Sequence, residues 1–135
     1  MKQKKEYIMN QNTFKKVDKQ LTKGLLDLIV LRILKRKSMH GYGIISNIRK
    51  NFGIYFGPST VYPFLKSMED KGYIKSHWDM NHDRPRKVFS LTPQGSDILT
   101  GTEQSFRSIC IQLNQLGVRG ISGLTDYKNN SSILK

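Results

Sequence analysis

Residues 57–74 constrain this chain most, because they read as a short helix followed at once by two strand-like runs joined by a basic loop. Val61, Phe64, Leu65 and Met68 recur at i, i+3, i+4 and i+7, which puts four apolar side chains on one helical face and assigns that face to a core. The other face carries Ser59, Pro63, Lys66 and Asp70, with Thr60, Tyr62 and Ser67 flanking it. Short hydroxyls, an aromatic ring and a lysine can approach a polyanion closely. Pro58 suits the first helical position and Gly72 the residue after the end. Pro63 deprives the Ser59 carbonyl of its helical donor, a change that costs on the order of 3 kcal/mol in a helix interior and less near the first turn. A local rule broken on a polar face marks either a functional surface or a tolerated kink.

With 135 residues, one domain of ordinary size plus tails is expected. Twenty-three Lys and Arg against ten Asp and Glu give a formal charge of +13 and favour nucleic acid, an anionic membrane surface or an acidic protein as partner. Lys2, Lys4 and Lys5 open the chain, but no apolar run of signal-peptide length follows them, so no export signal is expected. The most apolar segment, Leu25 to Leu34, is interrupted by Asp27 and Arg32 and is too short to span a bilayer. Cys110 is the sole cysteine, which excludes an intrachain disulfide and a Cys-based zinc site. A cytoplasmic protein without a membrane partner is the expectation.

Punctuation divides the chain into segments. Residues 1–20 are polar and Lys-rich, with Tyr7, Ile8, Met9, Phe14 and Val17 too scattered for a firm stripe, and read as a basic, partly flexible arm. Gly24 to Lys37 is apolar almost all round a helix, a pattern that asks for cover on every side, including a second protomer or a long helix from elsewhere. Ser38-Met39-His40-Gly41 is a break, and Ile44, Ile45, Ile48 and Phe52 then form a second amphipathic stripe ending near Gly53. Strands are expected at Tyr73–Asp79 and Arg86–Leu91 around the loop 80–85, with Pro85 suiting an edge position. Thr92-Pro93 is an N-cap and first-turn proline. The helix it opens carries Leu99, Thr102, Phe106, Ile109, Leu113 and Leu116 in a heptad seam with one polar member, which favours a two-chain contact over a face turned to its own core. Gly117, Gly120 and Gly123 end the pattern, and residues 118–135 read as a disordered tail. The expected division is 1–20, 21–92, 93–117 and 118–135.

Catalytic chemistry finds little support. His40, His77 and His82 with Asp79 and Asp83 offer donor atoms, but the residues around the hairpin are extended and solvent-facing, so no metal is expected. Gly41-Tyr42-Gly43 lacks the rest of a dinucleotide fingerprint, and no phosphate-cradling glycine loop is present, so no cofactor is expected. Cys110 beside Ile109 reads as a small buried hydrophobe. An enzyme is not expected. The basic hairpin is better evidence: Arg84, Arg86 and Lys87, with Asn81 and His82 nearby, present cations where a phosphate backbone or minor groove could receive them.

Helix, helix, recognition helix and two-stranded wing, in that order, describe a winged helix-turn-helix, and the details resemble the PadR-like transcriptional regulators. The matching residues are His40-Gly41-Tyr42, Pro58 with Thr60-Val61-Tyr62-Pro63 and Leu65, Glu69 with Gly72-Tyr73-Ile74, and the run from Arg84-Pro85-Arg86-Lys87 to Thr92-Pro93-Gln94-Gly95. The resemblance covers about residues 24–116. It implies a homodimeric cytoplasmic DNA-binding regulator, usually a repressor, with an effector pocket near the dimer interface in some members. Gly43, Ser59 and Val88 depart from the acidic residue, glycine and aromatic common there, and the last helix is short and lacks tryptophan.

The resulting expectation is a mainly α protein with a small β-hairpin wing, an α+β winged helix with a C-terminal dimerisation helix. Tyr42, Ser59, Thr60, Tyr62 and Lys66 would face the major groove of double-stranded DNA and its flanking phosphates, while Arg84, Arg86 and Lys87 would serve the wing. Leu99, Thr102, Phe106, Ile109, Leu113 and Leu116 would join two copies of the chain on a palindromic operator. A winged helix used as a protein-docking module would show no salt-sensitive duplex binding, and a non-specific nucleic-acid binder would show no preferred site.

Overall fold

The computed structural model describes residues 2–121, and side chains from residue 11 onward. The expected tail falls largely outside the described residues. The described residues divide into two compact units, residues 2–96 and residues 97–121.

In the first unit the elements run α1 (Lys2–Gly24), α2 (Leu26–Arg36), β1 (Met39–His40), α3 (Gly41–Phe52), α4 (Pro58–Asp70), β2 (Ile74–Asp79) and β3 (Arg86–Leu91). The N-terminal segment, expected as a basic arm, is helical over its described length. Its Lys, Gln and Glu residues have good helix propensity, which needs no apolar stripe to act. The helix breaks at Leu25, whose N–H donates to the Thr22 carbonyl at 3.0 Å.

α2 buries Leu26, Ile29, Val30, Leu31, Ile33 and Leu34, and it packs on α1, α3 and β3. Elements of the same chain thus cover the segment, and its apolar circumference requires no second protomer. Asp27, Arg32, Lys35 and Arg36 remain exposed at the intervening positions. Ile44, Ile45 and Ile48 of α3 and Val61, Leu65 and Met68 of α4 complete the core with Phe56, Ile74 and Phe89.

The sheet has three antiparallel strands in the order β1-β3-β2. The break expected at 38–41 contains β1, whose Met39 and His40 pair with Phe89 and Val88. Two residues are too few to show a periodicity. Strand β3 is consequently central rather than an edge, and Pro85 lies just before it, where no ladder donor is lost.

Turn chemistry joins α4 to the sheet. Gly72 sits at φ 80°, in the left-handed region, and the Tyr73 and Gly72 amides donate to the Met68 and Glu69 carbonyls at 3.0 and 2.9 Å, the two bonds of a Schellman cap. Thr92 then locks the turn from the other side. Its hydroxyl lies 2.6 Å from the Gly72 carbonyl and accepts the Gly95 amide at 2.9 Å, the N-cap bond of the helix α5 (Pro93–Gln115). Gly95 lies so close that an added Cβ would stand 1.9 Å from the Tyr73 carbonyl oxygen.

Most of α5 forms the second unit with the turn that follows it. Gly117, at φ 102°, closes it with a Schellman cap of its own, the Val118 and Gly117 amides donating to Leu113 and Asn114. The seam is not uniform along the helix. Leu99 is 2% exposed, Thr102 and Phe106 are half-buried, and Ile109 and Leu116 are 57% and 82% exposed. Leu99 is thus buried within the single chain, whereas Ile109, Leu113 and Leu116 are exposed.

Two glycine substitutions separate these environments. Gly95→Ala forces backbone to move and should cost roughly 1–3 kcal/mol. Gly101→Ala, at a helical position with nothing within 4 Å, should stabilise by about 0.5–1 kcal/mol. Urea unfolding of both variants measures the contrast.

Candidate nucleic-acid interface

The site is built on a helix held by one face. Val61, Leu65 and Met68 are buried, and Phe64 is half-buried. Ser59, Pro63, Lys66 and Asp70 all lie exposed on the opposite side, with Thr60 and Tyr62 half-buried at its margin. Gly57 caps the helix without a side chain, the Thr60 and Val61 amides both donating to its carbonyl at 3.0 Å. The first turn holds no acidic residue. The N-terminal half of α4 is therefore small, polar and unobstructed by negative charge.

Tyr62 is seated by α3. A Cβ at Gly41 would lie 2.5 Å from the Tyr62 Cζ and Oη, so only glycine leaves room for the ring. Tyr42 meets that ring edge-on, with centroids 6.2 Å apart and planes at 70°. Burial, and secondarily the neighbouring Tyr42, pushes the Tyr62 phenol above its ordinary value of 10.0 and keeps it a neutral donor and acceptor. Tyr42 itself is exposed. Tyr42, Ser59, Thr60, Tyr62 and Lys66 thus occupy one surface formed by α4 and the start of α3.

On the hairpin, Arg84 and Arg86 are exposed. Asp79 shapes the loop, accepting the Asn81 amide at 3.0 Å and lying 3.5 Å from His82. Its carboxylate serves the turn, and among the described residues no three His, Cys, Asp or Glu side chains gather to hold a metal. Lys87 departs from the expected arrangement. It is half-buried, its Nζ lies 3.7 Å from a Glu69 carboxylate oxygen and 5.7 Å from the centre of the Phe89 ring, and so it is engaged with α4. Strand alternation explains this, because Lys87 shares a face with buried Phe89 while Arg86 points to the other.

Sequence reasoning passed over Tyr55 and Trp78. Tyr55 is exposed, and its phenol lies 3.3 Å from where a Gly57 Cβ would be, at the start of α4. Trp78 is 62% exposed, opposite Lys87 in the register. Isolated aromatics in short extended runs carry no periodic signal that separates surface from core.

Comparison with known proteins identifies the family of the chain. Residues 30–100, more than half of the chain, match the model of the transcriptional regulator PadR-like family. The chain belongs to the PadR-like family of transcriptional regulators. It is similar to a PadR family transcription regulator from Clostridium difficile R20291, at 32% identity and a TM-score of 0.63, over 68% of this chain and 97% of that one. It is also similar to Bacillus subtilis PadR, solved in complex with operator DNA, at 26% identity and a TM-score of 0.53, over 57% of this chain and 45% of that one. A 75-residue stretch is 32% identical to the transcriptional activator GvpE of Haloferax mediterranei, covering 56% of this chain and 37% of that protein. As a PadR-like regulator the chain is a DNA-binding protein. Among the described residues no helix is long and apolar enough to cross a membrane.

Gly41→Ala tests the seating of Tyr62. The ring must leave its place, at a stability cost on the order of 1 kcal/mol. Ultraviolet titration should then show the phenol ionising nearer 10.0, because the burial that raised it is lost.

Proposed function

We propose that this PadR-like chain is a cytoplasmic, sequence-specific transcriptional repressor that acts as a homodimer on a palindromic operator and has no catalytic activity. The observation that carries the reading is the one-sided burial of α4, which leaves Ser59 and Lys66 projecting from a basic molecule whose hairpin also exposes Arg84 and Arg86. In this reading Ser59 and Thr60 near the helix start reach base edges, Tyr42 and Tyr62 frame them, Lys66 contacts phosphate, and the wing arginines position the protein. Lys87 stands behind the wing, where its ion pair with Glu69 offsets its charge. The Bacillus subtilis relative, bound to operator DNA, supports duplex DNA as the partner.

Pairing is supported by apolar surface that the single chain leaves open. Ile109, Leu113 and Leu116 are exposed along α5, as are Phe14, Val17 and Leu21 along α1. Two copies joined through such faces would hold their recognition helices about 34 Å apart, the spacing of successive major-groove faces. Occupancy of a promoter by such a dimer blocks it. A reporter whose expression rises on loss of the protein marks repression, and one whose expression falls marks the activity named for the Haloferax relative.

Two mutational contrasts test these roles. Lys66→Ala should weaken binding to all duplexes alike and lower the salt slope by about one, whereas Ser59→Ala should cost roughly 1–3 kcal/mol on the selected site only. Equal effects of both variants on selected and random DNA would remove the assignment. Ile109→Asp adds charge at a position already exposed in the single chain, so folding should survive while sedimentation shifts from dimer to monomer and specific binding is lost. A dimeric, fully binding Ile109→Asp protein would rule out the α5 seam.

A further inference from the structure

We infer that Glu69 is a positioning residue that sets the angle of the wing against the recognition helix. It stands in the last turn of α4 and touches both wing strands: the Ser76 hydroxyl of β2 donates to one carboxylate oxygen, and the Lys87 ammonium of β3 lies 3.7 Å from the other. One side chain of the base-reading helix therefore bridges the hairpin that carries Arg84 and Arg86. The inference rests on the proposed DNA-binding role of that helix and wing.

The sheet gives the hairpin little other support at this level. β1 reaches only Val88 and Phe89, so the pairs Trp78–Lys87 and Asp79–Arg86 extend beyond the third strand. A two-stranded ribbon is readily twisted and bent. From Ser76 to the loop tip spans about six residues, or ~20 Å of strand. A tilt of about 10° at the base moves the tip by ~3.5 Å, more than a hydrogen bond can follow. Glu69 acts where a small angular error becomes a lost phosphate contact. Half-exposed ion pairs add little to stability, so a geometric role is separable from a folding role.

A double-mutant cycle tests this, with a labelled duplex taken from a pool selected on the wild-type protein. Glu69→Ala should weaken binding roughly tenfold in the wild-type background and less than about twofold in an Arg84→Ala/Arg86→Ala background, because there is no longer a wing contact to misplace. Glu69→Gln, which retains an acceptor for Ser76, should lose less, and thermal midpoints should change little. Equal losses in both backgrounds would overturn the inference in favour of a general structural role. Unchanged binding would overturn it, as would tighter binding, which would mean that Glu69 merely withholds Lys87 from DNA. If Arg84→Ala/Arg86→Ala binds like wild type, the wing contact itself is refuted and the inference falls with it, whereas the α4 contrasts still stand.

Discussion

Everything on the exposed polar face of the first unit depends on α4 being held from behind. Val61, Leu65 and Met68 anchor one face in the core, and the caps at Gly57 and Gly72 fix where the helix begins and ends. A helix anchored in this way can present short polar side chains outward without needing them for its own stability. That freedom permits Pro63, which removes a backbone donor on the exposed face.

The turn at Gly72 and Tyr73 is the mechanical joint of the molecule. The end of α4, the start of β2 and the first turn of α5 meet there, through the Schellman bonds, the Thr92 hydroxyl and the bare Cα of Gly95. Glu69, one turn back along α4, extends the joint into the hairpin. α4 and the hairpin are thus tied at two successive levels, by backbone at the turn and by a carboxylate above it.

Much of this was legible in the residues because punctuation and periodicity agreed. Pro58, Gly72 and Thr92-Pro93 marked the ends of α4 and the start of α5, and the strands Ile74–Asp79 and Arg86–Leu91 lie within one residue of expectation. The failures have particular causes. α1 has helix-forming residues but a sparse apolar pattern, and β1 is two residues long. α2 is apolar nearly all round because α1, α3 and β3 crowd it within one chain, a tertiary fact that periodicity does not carry. The charge that Lys87 shares with Arg84 and Arg86 does not tell its environment, whereas its spacing of two from Phe89 puts it on the inner face. Leu99 belonged to the heptad pattern by spacing yet is buried in the single chain.

In the proposed reading two copies of this surface together recognise one specific duplex sequence. Selection of bound sites from a random duplex pool, at a salt concentration where non-specific binding is weak, tests it most directly. One inverted repeat whose half-sites are centred about one helical turn apart should be recovered. A pool that binds but converges on no sequence, or on a single unrepeated half-site, would contradict it.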